Sequence, residues 1–395
     1  MHETIKFETH KKKVIVINTK YKNFGGEDSN ILEELELLND KYEVEYLEFD
    51  NNSQLNFSTI CSFLLSYNYR SNSELEKKLK EFKPDIAYVH NTWFRGGLGL
   101  FSVLKRNNIK IFLKLHNFRF DCSKNFLIKN HISHESFCKQ CGLERRRGRI
   151  FNKYFQESYI KSLALIIYGK KYQKILSRKD LNLIVLNKFQ KNYLLNQKFK
   201  NNIAIINNPV NFQVKELSFD KLQKKDVVYA GLISSSKGLP ELLETWTKSD
   251  VTNLNLKIIG SGPLKNVLEK KYSTSNIKFL DIKTNRETLD IIKNSRAVIT
   301  ATRMYEVQPR LLCEASSLAV PSIFPNFGGM SEYFPHDYKF SFEQYDYNDL
   351  SQKIKLLNDE NLLIQESKKV YEFINNNLSN KKTFDDMDSF FFGGK

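Results

Sequence analysis

No apolar run in this chain approaches the roughly 18 residues that cross a bilayer. The first residues, MHETIKFETHKKKVIVIN, put charge where a signal peptide needs an apolar core. The expectation is a cytoplasmic chain without a membrane span. Cysteine is scarce, five in 395 residues, and an odd number in so long a chain argues for reduced thiols or metal ligands over a disulfide framework. A dinucleotide fingerprint is also missing: Gly260 and Gly262 follow an apolar run, but its sixth position is Lys265 where glycine is required. That turns the reading away from hydride transfer and makes GSGPLK a tight turn. No internal repeat of about 20 to 50 residues is present.

What is present is a strongly uneven positive charge. The formal net charge is +16. Residues 1–200 hold 36 Lys and Arg against 21 Asp and Glu, a surplus of 15, while the remainder holds 25 against 24. A basic first half suits an anionic partner such as a membrane surface, a lipid diphosphate or nucleic acid, or else solvated lysine-rich faces. The length exceeds a single core, so two domains are expected. In each half, β-branched runs (Val14 to Asn18, Ile86 to His90, Lys110 to Leu115; Val227 to Ala230, Leu256 to Ile259, Ile277 to Leu280) alternate with amphipathic segments. This predicts an α/β chain of two doubly wound, Rossmann-like domains facing across a cleft. Asn207-Asn208-Pro209 is the turn signal between them. The expected bounds are 1–207, 208–375 and a tail at 376–395 that returns as a helix to the first domain. Ligands of such domains bind at the carboxyl ends of the strands.

The segment EVQPRLLCE, Glu306 to Glu314, sits at such an end, because RAVITAT (Arg296 to Thr302) reads as a buried strand and Pro309 suits a first helical position. At about 1.5 Å of rise per residue, the two carboxylates would bracket a ligand roughly 10 Å long. The free amides and dipole of the first turn favour a phosphate between them. A nucleotide sugar has that layout, and carboxylates hold its hydroxyls by charge-assisted bonds. A solvated loop Glu and helix Glu is the alternative. Upstream, YAGLISSSKG puts Gly231 at a strand end and Lys237-Gly238 before a helix, where lysine reaches a diphosphate as a point charge.

These pieces, YAGLISSSKG, KIIGSGPL, NIKFLDIKTNRETL and EVQPRLLCEASSLAVPSI with FGGMSE, resemble in order and spacing the family 4 retaining glycosyltransferases of the GT-B fold, in their polysaccharide branch. The resemblance extends over most of residues 11–375, with INTKYKNFGGEDSN, KPDIAYVHNTWF and LKLHNFRFDC in the first half. It implies that Glu314 holds ribose hydroxyls and Glu306 the hydroxyls of the transferred sugar. The backbone at Val307 and Gln308 would face sugar and diphosphate. Lys237 would neutralise the leaving phosphate, and Ile282 would line the base pocket. The Gly25-Gly26 loop would approach the phosphates from the opposite domain, and His116 would sit beside the donor sugar. By the resemblance, the catalytic residues are Glu306, His116 and Lys237 and configuration is retained; the sequence leaves the base open, with uridine the commonest in similar proteins.

One departure matters: the family carries Arg after the glycine of its YVGR-like strand end, and here that position is Leu232. A lost charge-assisted contact costs about 1.5 to 3 kcal/mol unless replaced. Arg303 and Arg310 are the candidate substitutes, although Arg310 also stands four residues before Glu314, the spacing of a helical ion pair. No metal is called for in catalysis, since helix amides and lysine supply the charge. Cys122, Cys138 and Cys141, with His131 and His134 between, leave two readings open: a structural zinc site or three thiols in a loop. RRRGR at 145–149 suits lipid head groups or an acceptor diphosphate.

The expectation is thus a retaining glycosyltransferase, peripheral at the inner face of the cell membrane, moving a hexosyl or N-acetylhexosaminyl group to a saccharide or lipid-linked saccharide for a surface polysaccharide. Two rivals remain at this point: a catalytically weak donor-binding scaffold, and a membrane- or nucleic-acid-binding module built on the basic half.

Overall fold

The computed structural model describes residues 11–20, 26–51, 62–118, 137–138, 143–144, 159–210 and 224–393. The first half contains the strands Lys13–Lys20 (β1), Glu43–Asp50 (β2), Ile86–Val89 (β3), Lys110–Lys114 (β4), Phe137–Cys138 (β5), Leu143–Glu144 (β6), Leu181–Val185 (β7) and Ile203–Ile205 (β8). Its helices are Gly26–Asn39 (α1), Tyr69–Phe82 (α2), Leu100–Arg106 (α3), Tyr159–Leu176 (α4) and Lys188–Asn196 (α5). Six strands pair in parallel in the order β2-β1-β3-β4-β7-β8, and β5 pairs with β6 as a separate antiparallel ribbon. The second half contains Asp226–Ala230 (β9), Asn255–Ile259 (β10), Ile277–Leu280 (β11), Ala297–Ile299 (β12), Ser322–Asn326 (β13) and Ser341–Glu343 (β14). These form a second parallel sheet ordered β11-β10-β9-β12-β13-β14. Its helices are Leu239–Lys248 (α6), Lys265–Tyr272 (α7), Asn285–Lys293 (α8), Arg310–Ser317 (α9), Tyr347–Leu356 (α10) and Glu360–Asn377 (α11), followed by Asn380–Phe392 (α12).

Why the first sheet is buried on both sides is visible in β1. Its side chains alternate faces, and both sets are apolar. Val14 and Val16 join one core cluster with Tyr88 and Phe112, whereas Ile15 and Ile17 join another with Val89 and Leu113. Parallel strands covered on both faces require such runs. The first of these faces is closed by α1 and also by α12, whose Phe384, Met387 and Phe391 are buried in it. Phe391 packs against Tyr88 and Phe112 with ring centroids 5.1 and 4.7 Å away. The last helix of the chain therefore belongs physically to the core of the first sheet. The second sheet has one continuous core of its own, to which α11 contributes Leu363, Val370 and Ile374.

All strands within each six-stranded sheet run the same way, so their carboxyl ends share one edge. Strand order reverses beside β1 in the first sheet, between β2 and β3, and beside β9 in the second, between β10 and β12. Crevices open at such reversals. Among the described residues, no helix is long and apolar enough to cross a membrane.

Candidate active site

At the reversal beside β9, a crevice of about 160 Å3 is lined by Ala230 at the end of β9 and Gly231 after it, Thr300 and Thr302 past β12, and Lys237, Glu306 and Arg310. Lys237 ends a short 3-10 turn, Ser235–Lys237. It is placed there by Gly238, whose φ is +67° and whose missing Cβ would lie 1.7 Å from the Ala301 carbonyl oxygen. No other residue fits both the left-handed backbone and that approach. The Lys237 ammonium meets Glu306 Oε1 at 2.5 Å, and Thr302 Oγ1 donates to the same oxygen at 3.3 Å. Both charged side chains are about a quarter exposed, at 28% and 25%, so water and ligands can reach them.

Behind this pair, α9 starts at Arg310 with Pro309 in the capping position, one residue earlier in role than the sequence suggested. The strand before it is also shorter than the Arg296 to Thr302 run, ending at Ile299. Glu314 is 3% exposed and accepts from Arg310 Nε at 2.7 Å. Burial raises its carboxyl above the ordinary range, and the Arg310 charge opposes that. Arg310 is shared further: its other two nitrogens bond Asn30 and Glu33 of α1, across the cleft. Gly26, the first residue of α1, would place a Cβ 3.6 Å from Arg310 Cδ. Thus the start of α1 faces Arg310, and Arg310 covers Glu314. Gly25 lies outside the described residues.

The loop carrying Glu306 is fastened to the opposite domain. Tyr305 stacks on Phe189, centroids 5.4 Å apart and planes 9° from parallel. Val307 is buried in a core cluster of the first sheet, and its carbonyl accepts from Asn187 Nδ2. The Gln308 amide clasps the Asn208 backbone twice, at 2.8 and 3.0 Å. The Val307 side chain is therefore an interdomain fastener, and Gln308 ties the loop to the turn between the domains. Asn187 also caps α5, accepting from the Gln190 amide at 2.7 Å. Gly329 is required beside it, because a Cβ there would lie 2.0 Å from Asn187 Nδ2. From the same C-terminal segment, Glu332 accepts the Lys188 and Phe189 amides at 2.7 and 2.8 Å, and Tyr333 donates to the Leu186 carbonyl at 2.6 Å.

Ile282 is 73% exposed past the carboxyl end of β11, on the same sheet edge as the crevice. Leu232 is 53% exposed. Neither arginine considered as its substitute is uncommitted: Arg303 pairs with Glu241 at 3.2 Å, and Arg310 is engaged as described. His116 lies on the first domain, in a small recess at the ends of β3 and β4 that includes Glu27, Asn91, Trp93, Asn117 and Tyr172. Its ring contacts His90, with Nε2 2.8 Å from His90 Nδ1, a pairing that no local pattern announces. Lys114, a charge that ends the KIFLK strand and is wholly buried, is the one local mark that could have pointed to a polar interior there. Of the cysteine loop, Cys122 and Cys141 lie outside the described residues, as do His131, His134 and residues 145–149, while Cys138 lies in β5.

The chain is similar to sucrose-phosphate synthase of Thermosynechococcus elongatus, with a TM-score of 0.69 at 13% identity over 96% of this chain and 98% of that one. The fold is GT-B. Anabaena HepE in complex with UDP and glucose has the same GT-B fold, with a TM-score of 0.66 at 10% identity over 97% of this chain and 100% of that one. A mutant of S. aureus TarM in complex with fondaparinux, alpha-GlcNAc-glycerol and UDP gives 0.58 at 19% identity. It covers 81% of this chain, which spans only 59% of TarM's length. Residues 213–376 match the family model described as Glycosyl transferases group 1. The chain has no match among curated proteins.

Proposed function

We propose that this GT-B chain is a glycosyltransferase that moves a sugar from a nucleotide-diphosphate donor, with UDP as the carrier, to a saccharide acceptor. The single observation that carries the reading is the Lys237–Glu306 pair, 2.5 Å apart in the crevice where strand order reverses and where α9 begins. A diphosphate entering there meets the ammonium and the first free amides of the helix. Glu306, released from the lysine, orients sugar hydroxyls. Glu314 becomes available to a ribose once Arg310 withdraws from it. The protein supplies positioning and stabilisation of the leaving charge. Retention of configuration, with the leaving diphosphate taking the acceptor's proton on the same face, and a lipid-linked acceptor for surface polysaccharide belong to this proposal. So does work at the inner membrane face, which the basic first half favours. The reading is supported by the group 1 match and by neighbours whose complexes contain UDP.

A second reading is favoured by Leu232 together with the engagement of Arg303 and Arg310: a scaffold that binds donor but turns it over weakly. Melting of the protein in the presence of UDP-glucose and UDP-N-acetylglucosamine, paired with measurement of released UDP, separates the two. Stabilisation with release supports the transferase, stabilisation without release the scaffold, and no stabilisation contradicts both.

A further inference from the structure

The interior beneath His116 holds a set of ionisable groups that the proposed reaction does not use. Glu34, on the inward face of α1, is their hub and is 1% exposed. Tyr88 Oη donates to its Oε2 at 2.6 Å, and the wholly buried Lys114 ammonium bonds its Oε1. The Nε2 of His90, also wholly buried, lies 3.8 Å from Glu34 Oε2 and has no hydrogen-bond partner. On the other side of the His90 ring, Nδ1 contacts His116 Nε2 at 2.8 Å, so one of these two nitrogens carries the shared proton.

Two neutral imidazoles joined by one hydrogen bond allow two arrangements. If His90 Nδ1 donates, its Nε2 is bare and turns a lone pair toward a carboxylate oxygen in a dry site, where repulsion between the two is poorly screened. If His90 Nε2 carries the proton instead, that N–H points at Glu34, and Nδ1 accepts from the Nε2–H of His116. Only the second arrangement complements the carboxylate. We infer that Glu34 and His90 act as positioning residues that fix the tautomer of His116, so that it presents a bare Nδ1 to its pocket and takes a hydroxyl donor of a sugar ligand there.

Three further features fit. His116 has no second hydrogen-bond partner among the described residues, and its ring lines a pocket with Asn91, Asn117, Trp93 and Tyr172, groups suited to a saccharide. Lys114 cancels the Glu34 charge that would otherwise draw a proton onto the rings. Burial first, and then Lys114, hold the His90 ring well below its usual pKa; for His116 the order is burial, His90, then Lys114. The charged and titratable groups that face the pair are Glu34 from α1, Tyr88 from β3 and Lys114 from β4, with Glu27 and, from α4, Tyr168 and Tyr172 at the pocket wall. A neutral acceptor is a poor general base but a persistent one-way reader of O–H groups. The identity of the ligand as a sugar rests on the proposed function; the tautomer does not.

The test is long-range proton–nitrogen correlation spectroscopy of the full chain labelled at histidine nitrogen, with the His90→Gln and His116→Gln variants assigning the two rings. The expected result is an unprotonated Nδ1 and protonated Nε2 on His116, with both rings neutral through ~pH 6 to 8, where an ordinary histidine titrates. A protonated Nδ1 on His116, or either ring becoming imidazolium in that range, overturns the inference. In the charge-neutral double variant Glu34→Gln with Lys114→Met, still folded by its melting curve, the preference is expected to relax to a mixture of tautomers; an unchanged tautomer overturns the role of Glu34. Added UDP-glucose is expected to shift the His116 Nδ1 signal. If UDP-glucose raises the melting temperature but leaves that signal in place, the hydroxyl-reading half is overturned while the proposed function stands. If UDP-glucose and UDP-N-acetylglucosamine both leave the melting temperature unchanged, it is the proposed function that fails, and the tautomer result is unaffected.

Discussion

Replacing Lys237 with methionine separates the structural worth of the crevice ion pair from its chemical worth. Methionine keeps most of the apolar stem and removes only the charge. The pair is about a quarter exposed on each side, so solvent screens it, and a pair of this kind contributes at most about 1 kcal/mol to folding. Glu306 keeps the Thr302 hydroxyl and is left near water, which limits the cost further. For a domain of this size the melting temperature should fall by no more than about 2 to 4 °C. Turnover should respond very differently. Removing one preorganised group from a site of developing negative charge costs about 2.7 to 4 kcal/mol in the transition state, a loss of roughly 100- to 1,000-fold. The assay is UDP release from a UDP-sugar with and without acceptor, beside thermal melting of the same preparation. If Lys237→Met retains turnover within a factor of a few, or loses it only in step with unfolding, the assignment of the lysine to the leaving phosphate is wrong.

Three other outcomes are expected. Asn187→Ser keeps a side-chain cap for α5 but cannot reach the buried Val307 carbonyl, so stability should fall by about 1 to 3 kcal/mol while kcat, measured where the variant is fully folded, falls about 10- to 100-fold through a displaced Glu306 loop; unchanged kcat would show that the interdomain fastening does not set that loop. Leu232→Arg adds a cation at a half-exposed strand end, and UDP binding by calorimetry should tighten roughly 10- to 100-fold; no change would place that side chain away from the diphosphate. The third concerns acid. His90 has its pKa depressed in the folded state from an ordinary 6.5, so the unfolded chain takes up a proton that the folded chain refuses. Its contribution is present above that value and is lost as pH falls toward the folded pKa, at up to about 1.4 kcal/mol per pH unit. Melting of wild type and His90→Gln at neutral and mildly acidic pH checks this, with the smaller drop expected in the variant.

The α/β alternation was legible because parallel strands buried on both faces need unbroken apolar runs: Ile277–Leu280 is read directly, and Val227 to Ala230 misses β9 by one residue. β2 was not legible, since EVEYLEFD at a sheet edge alternates acidic and apolar groups and has no such run. The motif around Glu306 and Lys237 could be picked out because a strand end, a glycine turn and a helix start leave local signatures. What the sequence could not display is anything set by the meeting of two domains. Nothing local marks Val307 as a core residue of the other half, or Glu332 as an acceptor for the first two amides of α5. The same holds for Arg310: its spacing from Glu314 is read at once, but its bonds to Asn30 and Glu33 come from residues 277 or more positions away. Glu34 was hidden too, because one buried carboxylate in an acidic amphipathic helix looks like its exposed neighbours.

The most direct measurement is UDP release from a UDP-sugar by wild type and by Glu306→Ala, with binding followed by calorimetry on both. The account predicts that the wild type releases UDP, and that the variant still binds the UDP-sugar but releases UDP at a small fraction of the rate. Release that survives the substitution undiminished, or a wild type that binds no nucleotide sugar, contradicts it.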